Sequence, residues 1–512
     1  MRRSIFADAF YLGLTELLLR SISLVFRLYL SSEIGVAGLG LLQLIFTAAS
    51  FGLTLALSGL RTASMYLFAE EIGCHRNGGV RRALQLCLRL ALALSIFVGA
   101  AFYVLSDPIA DCLLGDIRAA GGLRIFALGL PISACIAIFS GYLTVFGKVR
   151  LLAVIEMIEQ LFSVLLTMLL LPLANDLSES CGAILLGGLL ASVISFIWLA
   201  VLVRSSAKKL GRAQRGLHMA MRLRTVCVPL ALGGYLRSGL STIEHILIPR
   251  GLSAFSSKQT ALSTYGIIHG MVFPVIMFPS AVLFAVSDLL VAELARCRAA
   301  NMQLRIRHIT SKALRFGFLF SASTAVILYA LRNPLAKLVC HDPNAALYLR
   351  IFSPMVLFLY LDAIVDAVCK GLGQQKINVR YNIITSVVDI VLLLVLLPKI
   401  GVPGYVLAFL ISHLLNFCLS LRLLLRLTEH RPDLSFLLRA SFSAVVGAGA
   451  IACVPFFFSD LLRIVMGCLA FAVVFALMLR LSRTLSPGDR IWLRQIFEKS
   501  KHQKSHDLHL FA

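Results

Sequence analysis

The sequence predicts an all-α polytopic membrane protein with about fourteen transmembrane helices, arranged as two six-helix lobes plus two C-terminal helices. Three observations predict this fold: the composition, the alternation of basic loops and an internal repeat. Of the 512 residues, 59% are hydrophobic and only 14% are charged. Soluble proteins are roughly half apolar and about a quarter charged. Runs of about 20 largely apolar residues, enough for a helix to cross a bilayer, lie near 4–30, 38–67, 82–106, 122–146, 150–172, 181–203, 225–249, 261–291, 313–332, 346–369, 379–398, 404–427, 435–458 and 461–481.

The distribution of basic residues predicts the orientation in the membrane. The formal net charge is +23, and Lys and Arg concentrate in every second gap between apolar runs, such as HRNGGVRR and GKVR. The alternate gaps, such as SSEIG and ANDLSES, are neutral or acidic. Because positive residues are retained on the cytoplasmic side, both termini are expected to be cytoplasmic in a bacterial cell membrane. The charge is thus explained by orientation and not by nucleic-acid binding.

An internal repeat predicts the arrangement of the helices. The stretch RIFALGLPISACIAIFSGYLTVFGK begins at Arg124, and RIFSPMVLFLYLDAIVDAVCKGLGQ begins 226 residues later at Arg350. Two copies with an even number of spans enter the membrane in the same direction, so an axis along the membrane normal relates them. The same offset links Arg81 to Arg307, Arg89 to Arg315, Tyr103 to Tyr329, Pro108 to Pro334, Gly147 to Gly373 and Pro172 to Pro398.

The repeat and the loops together define the expected domains, and the cavity between the two lobes is the expected substrate site. The domains are an N-terminal lobe over 1–204, a basic cytoplasmic linker over 205–224, a C-terminal lobe over 225–430, helices 13 and 14 over 431–482, and a basic cytoplasmic tail over 483–512.

Several chemistries find no support in the sequence. The 12 cysteines are scattered without CxxC or Cys/His ligand spacing, so we interpret them as buried apolar residues and expect no metal. GYLTVFGK (141–148) has five residues between its glycines and lacks Ser or Thr after Lys148, so it is not a phosphate loop. Because no nucleophile with a base is recognisable, we expect a protein without cofactor and without enzymatic activity.

Arginines inside the apolar runs predict a phosphate site. Arg20 and Arg27 stand seven residues apart, so two helical turns bring them to one face. Arg237 lies in the first helix of the second copy, and Arg61 lies at the end of the second span. Guanidinium groups bind phosphate in bidentate fashion. The sequence therefore predicts that Arg20, Arg27, Arg61 and Arg237 face an anionic, phosphate-bearing substrate.

A structural interpretation of the same arginines stays open. Glu16 stands four residues before Arg20, a spacing at which the two side chains pair on a helix. The side chains of Arg27 and Arg61 are long enough to reach the membrane surface from their spans. For Arg237, a role in helix packing is an equally open interpretation.

Acidic residues and one histidine inside the spans are candidates for ion coupling by a proton or a sodium ion. Charge at membrane depth is costly and usually faces a cavity or a partner. Glu244 and His245 are adjacent in the seventh span, while Asp362 and Asp366 share one face of the tenth, and Glu16 completes the set. Helix packing and neutralisation of arginines are the alternative roles.

Four blocks carry a resemblance to a known family: 26–46, 243–252 (IEHILIPRGL), 262–283 (LSTYGIIHGMVFPVIMFPSAVL) and 370–405. They resemble the stage V sporulation protein B type of polysaccharide flippase, in the superfamily of multidrug (MATE), oligosaccharidyl-lipid and polysaccharide exporters. The resemblance implies two lobes in a V shape with alternating access, and two extra helices that shape a groove for a polyprenyl tail. It also implies functional arginines in the first helix, which Arg20 and Arg27 match in place, although their spacing is seven here and six in the related flippases.

Three functions follow as hypotheses. The first is a flippase that moves an undecaprenyl-diphosphate-linked saccharide, a polysaccharide or cell-wall precursor of sporulation or growth, across the cytoplasmic membrane. The second is a proton- or sodium-coupled exporter of cationic drugs, which requires carboxylates in the cavity. The third is a non-transporting membrane scaffold that recruits cell-wall or spore-cortex enzymes through basic loops.

Overall fold

The protein is a bundle of long α-helices, as the sequence predicts. The computed structural model describes residues 2–73, 77–208, 210, 219–340, 342–429, 433–455 and 459–482, and no residue within these ranges lies in a β-strand. The helices are α1 (Arg2–Leu57), α2 (Leu60–Gly73), α3 (Asn77–Val104), α4 (Ser106–Pro108), α5 (Ala120–Val145), α6 (Val149–Leu170), α7 (Leu177–Lys208), α8 (Met219–Leu252), α9 (Lys258–Tyr265), α10 (Phe273–Met277), α11 (Ser280–Ala299), α12 (Gln303–Ala330), α13 (Arg332–Leu335), α14 (Pro343–Phe352), α15 (Val356–Gly371), α16 (Gln375–Ile400), α17 (Val402–Thr428), α18 (Leu434–Ala452) and α19 (Asp460–Leu481).

Twelve helical stretches in the described residues are long and apolar enough to cross a membrane. One of them, Thr15–Ile72, has 58 residues, which at 1.5 Å per residue is about three times the thickness of a bilayer core. Gly35 interrupts it with φ 66° and ψ 179°, dihedral angles that no helix contains. The 34-residue α8 is not among the twelve. The total of fourteen spans therefore stays a prediction.

The helices form two bundles that meet along α1. Helices α1–α7 pack together as the first bundle, and α8–α17 pack together as the second, while α18 and α19 lie against α12 and α13. Helix α1 contacts α8, α9 and α11, and its buried Leu41 and Ile45 share one apolar core with Tyr265 and Phe352 of the second bundle. The predicted domain boundaries stay predictions, because residues 209, 211–218 and 483–512 of the linker and tail lie outside the described residues.

Two glycines that stand 226 residues apart follow α5 and α15 with the same geometry. Gly147 follows α5 with φ 72°, and Gly373 follows α15 with φ 69°. The next backbone N–H in each case reaches back to the last turn: Lys148 donates to the Leu143 carbonyl at 2.9 Å, and Gln374 donates to the Cys369 carbonyl at 2.9 Å. This cap requires a left-handed residue after the helix, which glycine adopts without steric cost.

Short irregular turns interrupt the second bundle where it faces α1. A π-helical turn, Gly266–Val272, joins α9 to α10, and Phe278 and Pro279 separate α10 from α11. At the π-turn the two bundles touch by their backbones: a Cβ built on Gly266 would lie 2.8 Å from the Gly40 nitrogen, 3.1 Å from the Gly40 Cα and against the Val36 carbonyl oxygen. Only a residue without a side chain permits this approach.

Candidate functional site

A cavity of about 1000 Å³ lies between the two bundles, and we call it the central cavity. Its wall comes from the second half of α1, the middle of α8 and the start of α16. Among the described residues that line it, hydroxyl and amide side chains dominate and none is Asp or Glu. They are Gln43, Phe46, Thr47, Ser50, Thr54, Pro229, Leu230, Gly233, Gly234, Arg237, Ser238, Ser241, Thr242, His245, Gln375, Lys376 and Val379.

Two basic side chains, Arg237 and Lys376, give the central cavity its positive charge. Both are exposed and line the cavity, Arg237 from α8 and Lys376 from the first turn of α16. The partial positive charge at a helix N-terminus adds to that of Lys376. Arg237 was a predicted site residue, whereas Lys376 was not. In the sequence, Lys376 is only a basic residue at the start of an apolar run. Loops that face the cytoplasm contain the same feature, so it does not indicate a cavity.

Arg20 and Arg27 face the second bundle instead of the central cavity. The Arg20 guanidinium donates to the Met277 carbonyl at 2.9 Å and to the Ser280 hydroxyl at 3.1 Å, where α10 gives way to α11. The Arg27 guanidinium donates to the Gly270 carbonyl, in the π-turn, at 3.1 Å. Irregular helix leaves carbonyls without their usual partners, so these two side chains satisfy them across the boundary.

The environment of Arg20 also includes the acidic residue that the sequence pairs with it. Glu16 lies 3.8 Å from Arg20 between Nη2 and Oε1, and the guanidinium stacks over the Phe284 ring at 5.4 Å from its centroid. The Glu16 side chain is 58% exposed, so the attraction is weak. Arg20 thus acts chiefly as a hydrogen-bond donor to the second bundle.

A second cavity of about 590 Å³ lies inside the first bundle, and we call it the first-bundle cavity. Arg27, Glu156 and Glu159 line it, and the Ser192 hydroxyl donates to Glu159 at 2.7 Å. Arg61 is exposed at the start of α2 and close enough to Glu156 for an electrostatic interaction, but it lines neither cavity. Charge of both signs therefore occupies the first-bundle cavity.

Gln43 and Phe46 line both cavities. They stand three residues apart on α1, so their side chains leave the helix on the same face. These two side chains form the wall between the central and first-bundle cavities.

The predicted coupling carboxylates lie in the second bundle, in two separate groups. Glu244 on α8 lies close to Ser386 and to Asp389 of α16, and Asp389 accepts a hydrogen bond from the Ser412 hydroxyl at 2.7 Å. The Oε1 atom of Glu244 is buried and has no hydrogen-bond partner among the described residues. His245 follows Glu244 and lines the central cavity.

The other group contains Asp362 and Asp366 of α15. Asp362 accepts a hydrogen bond from Asn416 at 2.8 Å, while its Oδ1 atom is buried without a partner among the described residues. Asp366 accepts a hydrogen bond from Asn378 at 2.8 Å and forms an ion pair with Lys370. Although the two carboxylates share one helix face, they accept hydrogen bonds from different asparagines, and the ion pair of Lys370 is with Asp366.

No group of three or more His, Cys, Asp or Glu side chains in the described part of the chain is arranged to hold a metal ion. The site is instead a set of separate charged groups: a basic central cavity, a mixed first-bundle cavity and two carboxylate groups.

Comparison with known proteins gives a consistent result. The family described as MatE matches residues 12–169 and 252–395. The chain is 22% identical over 402 residues to stage V sporulation protein B of Bacillus subtilis (strain 168), covering 76% of this chain and 77% of that protein. It is 20% identical over 275 residues to the sporulation protein YkvU of the same organism, covering 52% of this chain and 61% of that protein.

Solved structures share the fold. An inward-facing multidrug resistance transporter of the MATE family superposes with a TM-score of 0.67 at 13% identity, covering 82% of this chain and 100% of that one. The lipid II flippase MurJ in an inward closed conformation superposes with a TM-score of 0.66 at 15% identity, covering 93% of this chain and 99% of that one.

Proposed function

Because this chain belongs to the MatE family, we propose that it is an alternating-access flippase for an anionic, lipid-linked saccharide. Its fold is similar to that of a protein described as a lipid II flippase. The lipid bilayer is its environment, and an undecaprenyl-diphosphate-linked oligosaccharide or cell-wall precursor is the proposed cargo.

The composition of the central cavity carries this proposal. Its described lining contains Arg237, Lys376 and several hydroxyls, and it contains no carboxylate. A diphosphate is attracted to two cations in a site of reduced dielectric, whereas a cationic drug is repelled. Hydroxyl and amide side chains such as Ser50, Ser238 and Gln375 suit the hydroxyl groups of a sugar.

The rival transport hypothesis, export of cationic drugs, rests on a different part of the molecule. Glu156 and Glu159 line the first-bundle cavity, which would have to receive the cation. Arg27 lies in the same cavity and offsets one of these negative charges. The anionic cargo is therefore favoured.

Arg237 and Lys376 receive the diphosphate in this proposal, and Arg20 and Arg27 hold α1 against the second bundle until transport begins. The start of α16 follows a basic loop of the predicted cytoplasmic side, so the cavity accepts its cargo from that leaflet. Helices α18 and α19 are the proposed support of the lipid tail. Glu244 is the proposed site of a coupling cation, with Asp362, Asp366 and Glu16 as further candidates.

The test uses Arg237→Gln and Lys376→Gln variants in proteoliposomes with a fluorescent undecaprenyl-diphosphate saccharide. A charge-assisted hydrogen bond contributes about 1.5–3 kcal/mol, so each variant should weaken cargo binding about ten- to hundredfold. Arg224→Gln is the matched control, because Arg224 is exposed on the same helix and lines neither cavity. Full transport by the double variant Arg237→Gln/Lys376→Gln would contradict the proposal.

The scaffold hypothesis needs a separate measurement. Bulky substitutions at Ser238 and Ser241, both in the wall of the central cavity, should abolish cellular function if the cavity carries cargo. Retained function in a variant that is inserted in the membrane would favour a scaffold.

A further inference from the structure

The bare backbone at Gly233 is a feature of the central cavity that helix packing does not explain. Gly233 lines the cavity from α8, and a Cβ built on it would meet no atom within 4 Å. The space beside Gly233 is therefore open to the cavity. The other three glycines of α8 have neighbours that a Cβ would contact: the Ser58 hydroxyl at Gly234, the Phe51 ring at Gly239 and the Leu397 side chain at Gly251.

Glycine in the interior of a helix requires a reason, because it is about 0.5–1 kcal/mol less favourable there than alanine. One reason is a left-handed backbone, but Gly233 is not among the residues with positive φ. Another is the close approach of a second helix, which is common between membrane spans, and no atom of another helix lies near enough. The close approach of a ligand to the backbone is the reason that fits the place of Gly233 in the cavity wall.

Arg237 stands four residues after Gly233, so the two positions share one face of α8, one helical turn apart. Side chains of an α-helix tilt toward its N-terminus. The Arg237 side chain therefore leaves the helix in the direction of Gly233. Because Arg237 lines the same cavity, the open space at Gly233 is within reach of its guanidinium group.

Helices α8 and α16 lie side by side and run in the same direction. Glu244 of α8 lies close to Asp389 of α16, and seven residues further along α8, Gly251 packs on Leu397. The two members of each pair are about 145 residues apart in the chain, and all residues of an α-helix rise by about 1.5 Å. The pairing of levels between the two helices is therefore constant along their contact.

The same pairing brings Lys376 to the level of Gly233. A separation of about 145 residues places Gly233 opposite residues 378–379, and Lys376 precedes them by less than one helical turn. Lys376 lines the central cavity, as Gly233 does. The open space at Gly233 therefore has a guanidinium on one side and an ammonium on the other.

Neither Arg237 nor Lys376 has an ion-pair or hydrogen-bond partner among the described residues, and the described lining of the cavity contains no Asp or Glu. Two unpaired cations repel one another, and an anion between them relieves this repulsion most strongly where the dielectric is reduced. The space over Gly233 is the place from which an anion reaches both.

We propose that Gly233 is the floor of the phosphate subsite: one phosphate of the cargo lies against the α8 backbone at Gly233, between Arg237 and Lys376. This inference rests on the proposed function, and it adds the residue that decides whether the anion reaches both cations at once. A side chain at position 233 fills the space of the phosphate and holds it away from both cations, and Coulomb attraction falls with distance. The same chemistry accepts a soluble diphosphate, so the test includes one.

The experiment measures binding of a fluorescent undecaprenyl-diphosphate saccharide to full-length protein in lipid nanodiscs. Gly233→Ala should weaken binding about tenfold, as the loss of one charge-assisted hydrogen bond does, and Gly233→Leu should weaken it about a hundredfold or more. Gly239→Ala is the matched control on the same helix. Its Cβ would lie 3.8 Å from the Phe51 ring, and Gly239 does not line the central cavity, so binding should be unchanged.

Two further readouts separate a phosphate subsite from a structural role. Gly233→Ala should unfold at the wild-type temperature or above it, because alanine favours the helix and its Cβ meets no atom. In the Arg237→Gln background, the further loss of binding on Gly233→Ala should be much smaller than in wild type, because the anion is no longer held over position 233. A residue that only maintains the shape of α8 would weaken binding equally in both backgrounds.

Wild-type affinity in Gly233→Leu would overturn the inference. Equal losses in Gly233→Ala and Gly239→Ala would overturn it as well, since they would indicate that α8 requires glycines for bending. Flipping that depends on Arg237 and Lys376 but not on Gly233 leaves the flippase and refutes the subsite. Inorganic pyrophosphate that binds to wild type and not to Gly233→Leu, in a protein that flips no lipid-linked saccharide, leaves the subsite for a soluble diphosphate and refutes the flippase.

Discussion

Substituting Gly266 by Ala should shift the protein away from the conformation in which the two bundles touch. The added Cβ would lie 2.8 Å from the Gly40 nitrogen and 3.1 Å from its Cα, and it would also meet the Val36 carbonyl oxygen. All three atoms belong to the backbone, so no flexible side chain can move aside. Overpacking of this kind typically costs about 1–3 kcal/mol.

This free-energy cost applies only to the conformation in which Gly266 and Gly40 touch, because their backbones separate when the two bundles open there. A difference of about 1–3 kcal/mol changes the ratio of the two conformations about 5- to 150-fold. A protein that is closed here in nearly every molecule would then populate the open form measurably.

Distances between spin labels provide the assay. The labels can be attached to cysteines that replace Ser32 of α1 and Gln259 of α9. Both positions are exposed, and they lie on either side of the boundary between the two bundles. The distance distribution of the Gly266→Ala variant should gain a longer component. Gly449→Ala is the matched control, since a Cβ at Gly449 of α18 would meet no atom within 4 Å. A folded Gly266→Ala protein with the wild-type distribution would refute this reasoning.

Two further predictions concern contacts of the bundles. Arg27→Met removes the hydrogen bond to the Gly270 carbonyl, so the open conformation should become more stable relative to the closed one by about 1.5–3 kcal/mol. The same spin-label distances measure this shift. An unchanged distance distribution would show that Arg27 does not hold the bundles together. Arg222→Met leaves the Glu71 carboxylate, which is only 4% exposed, without its guanidinium donor at 2.9 Å. The detergent-solubilised variant should lose about 1–3 kcal/mol of stability in thermal unfolding, while Arg224→Met should match wild type; equal losses would exclude a specific role for the pair.

The sequence predicts the helices well because membrane spans are a local property of composition. It predicts the partners of the charged residues less well, because those depend on irregular backbone. The spacing of Arg20 and Arg27 implies one common face, but their acceptors are carbonyls that become available only where the π-turn and the α10–α11 break interrupt regular hydrogen bonding. Pro274, four residues after Gly270, indicates that the Gly270 carbonyl lacks its usual helical donor, but the sequence does not indicate which side chain takes its place.

The candidate site likewise contains residues that could be predicted from the sequence and residues that could not. Arg237 could be predicted because an arginine within an apolar run is conspicuous. Lys376 could not, because a lysine at the start of an apolar run is ordinary, and its place in the central cavity depends on how α16 packs against α8. Likewise, the four-residue spacing of Asp362 and Asp366 gives their common face but not Asn416 and Asn378, which come from two other helices.

The wall formed by Gln43 and Phe46 makes each cavity a sensor of the other. A cargo that displaces Phe46 from the central side enlarges or compresses the space beside Glu159, since the same ring bounds both volumes. If such a displacement changes the affinity of the first-bundle cavity for a ligand, linkage requires that this ligand change the affinity of the central cavity for its cargo by the same factor. Two side chains on a single helical turn would then couple the two cavities without any change in the arrangement of the bundles.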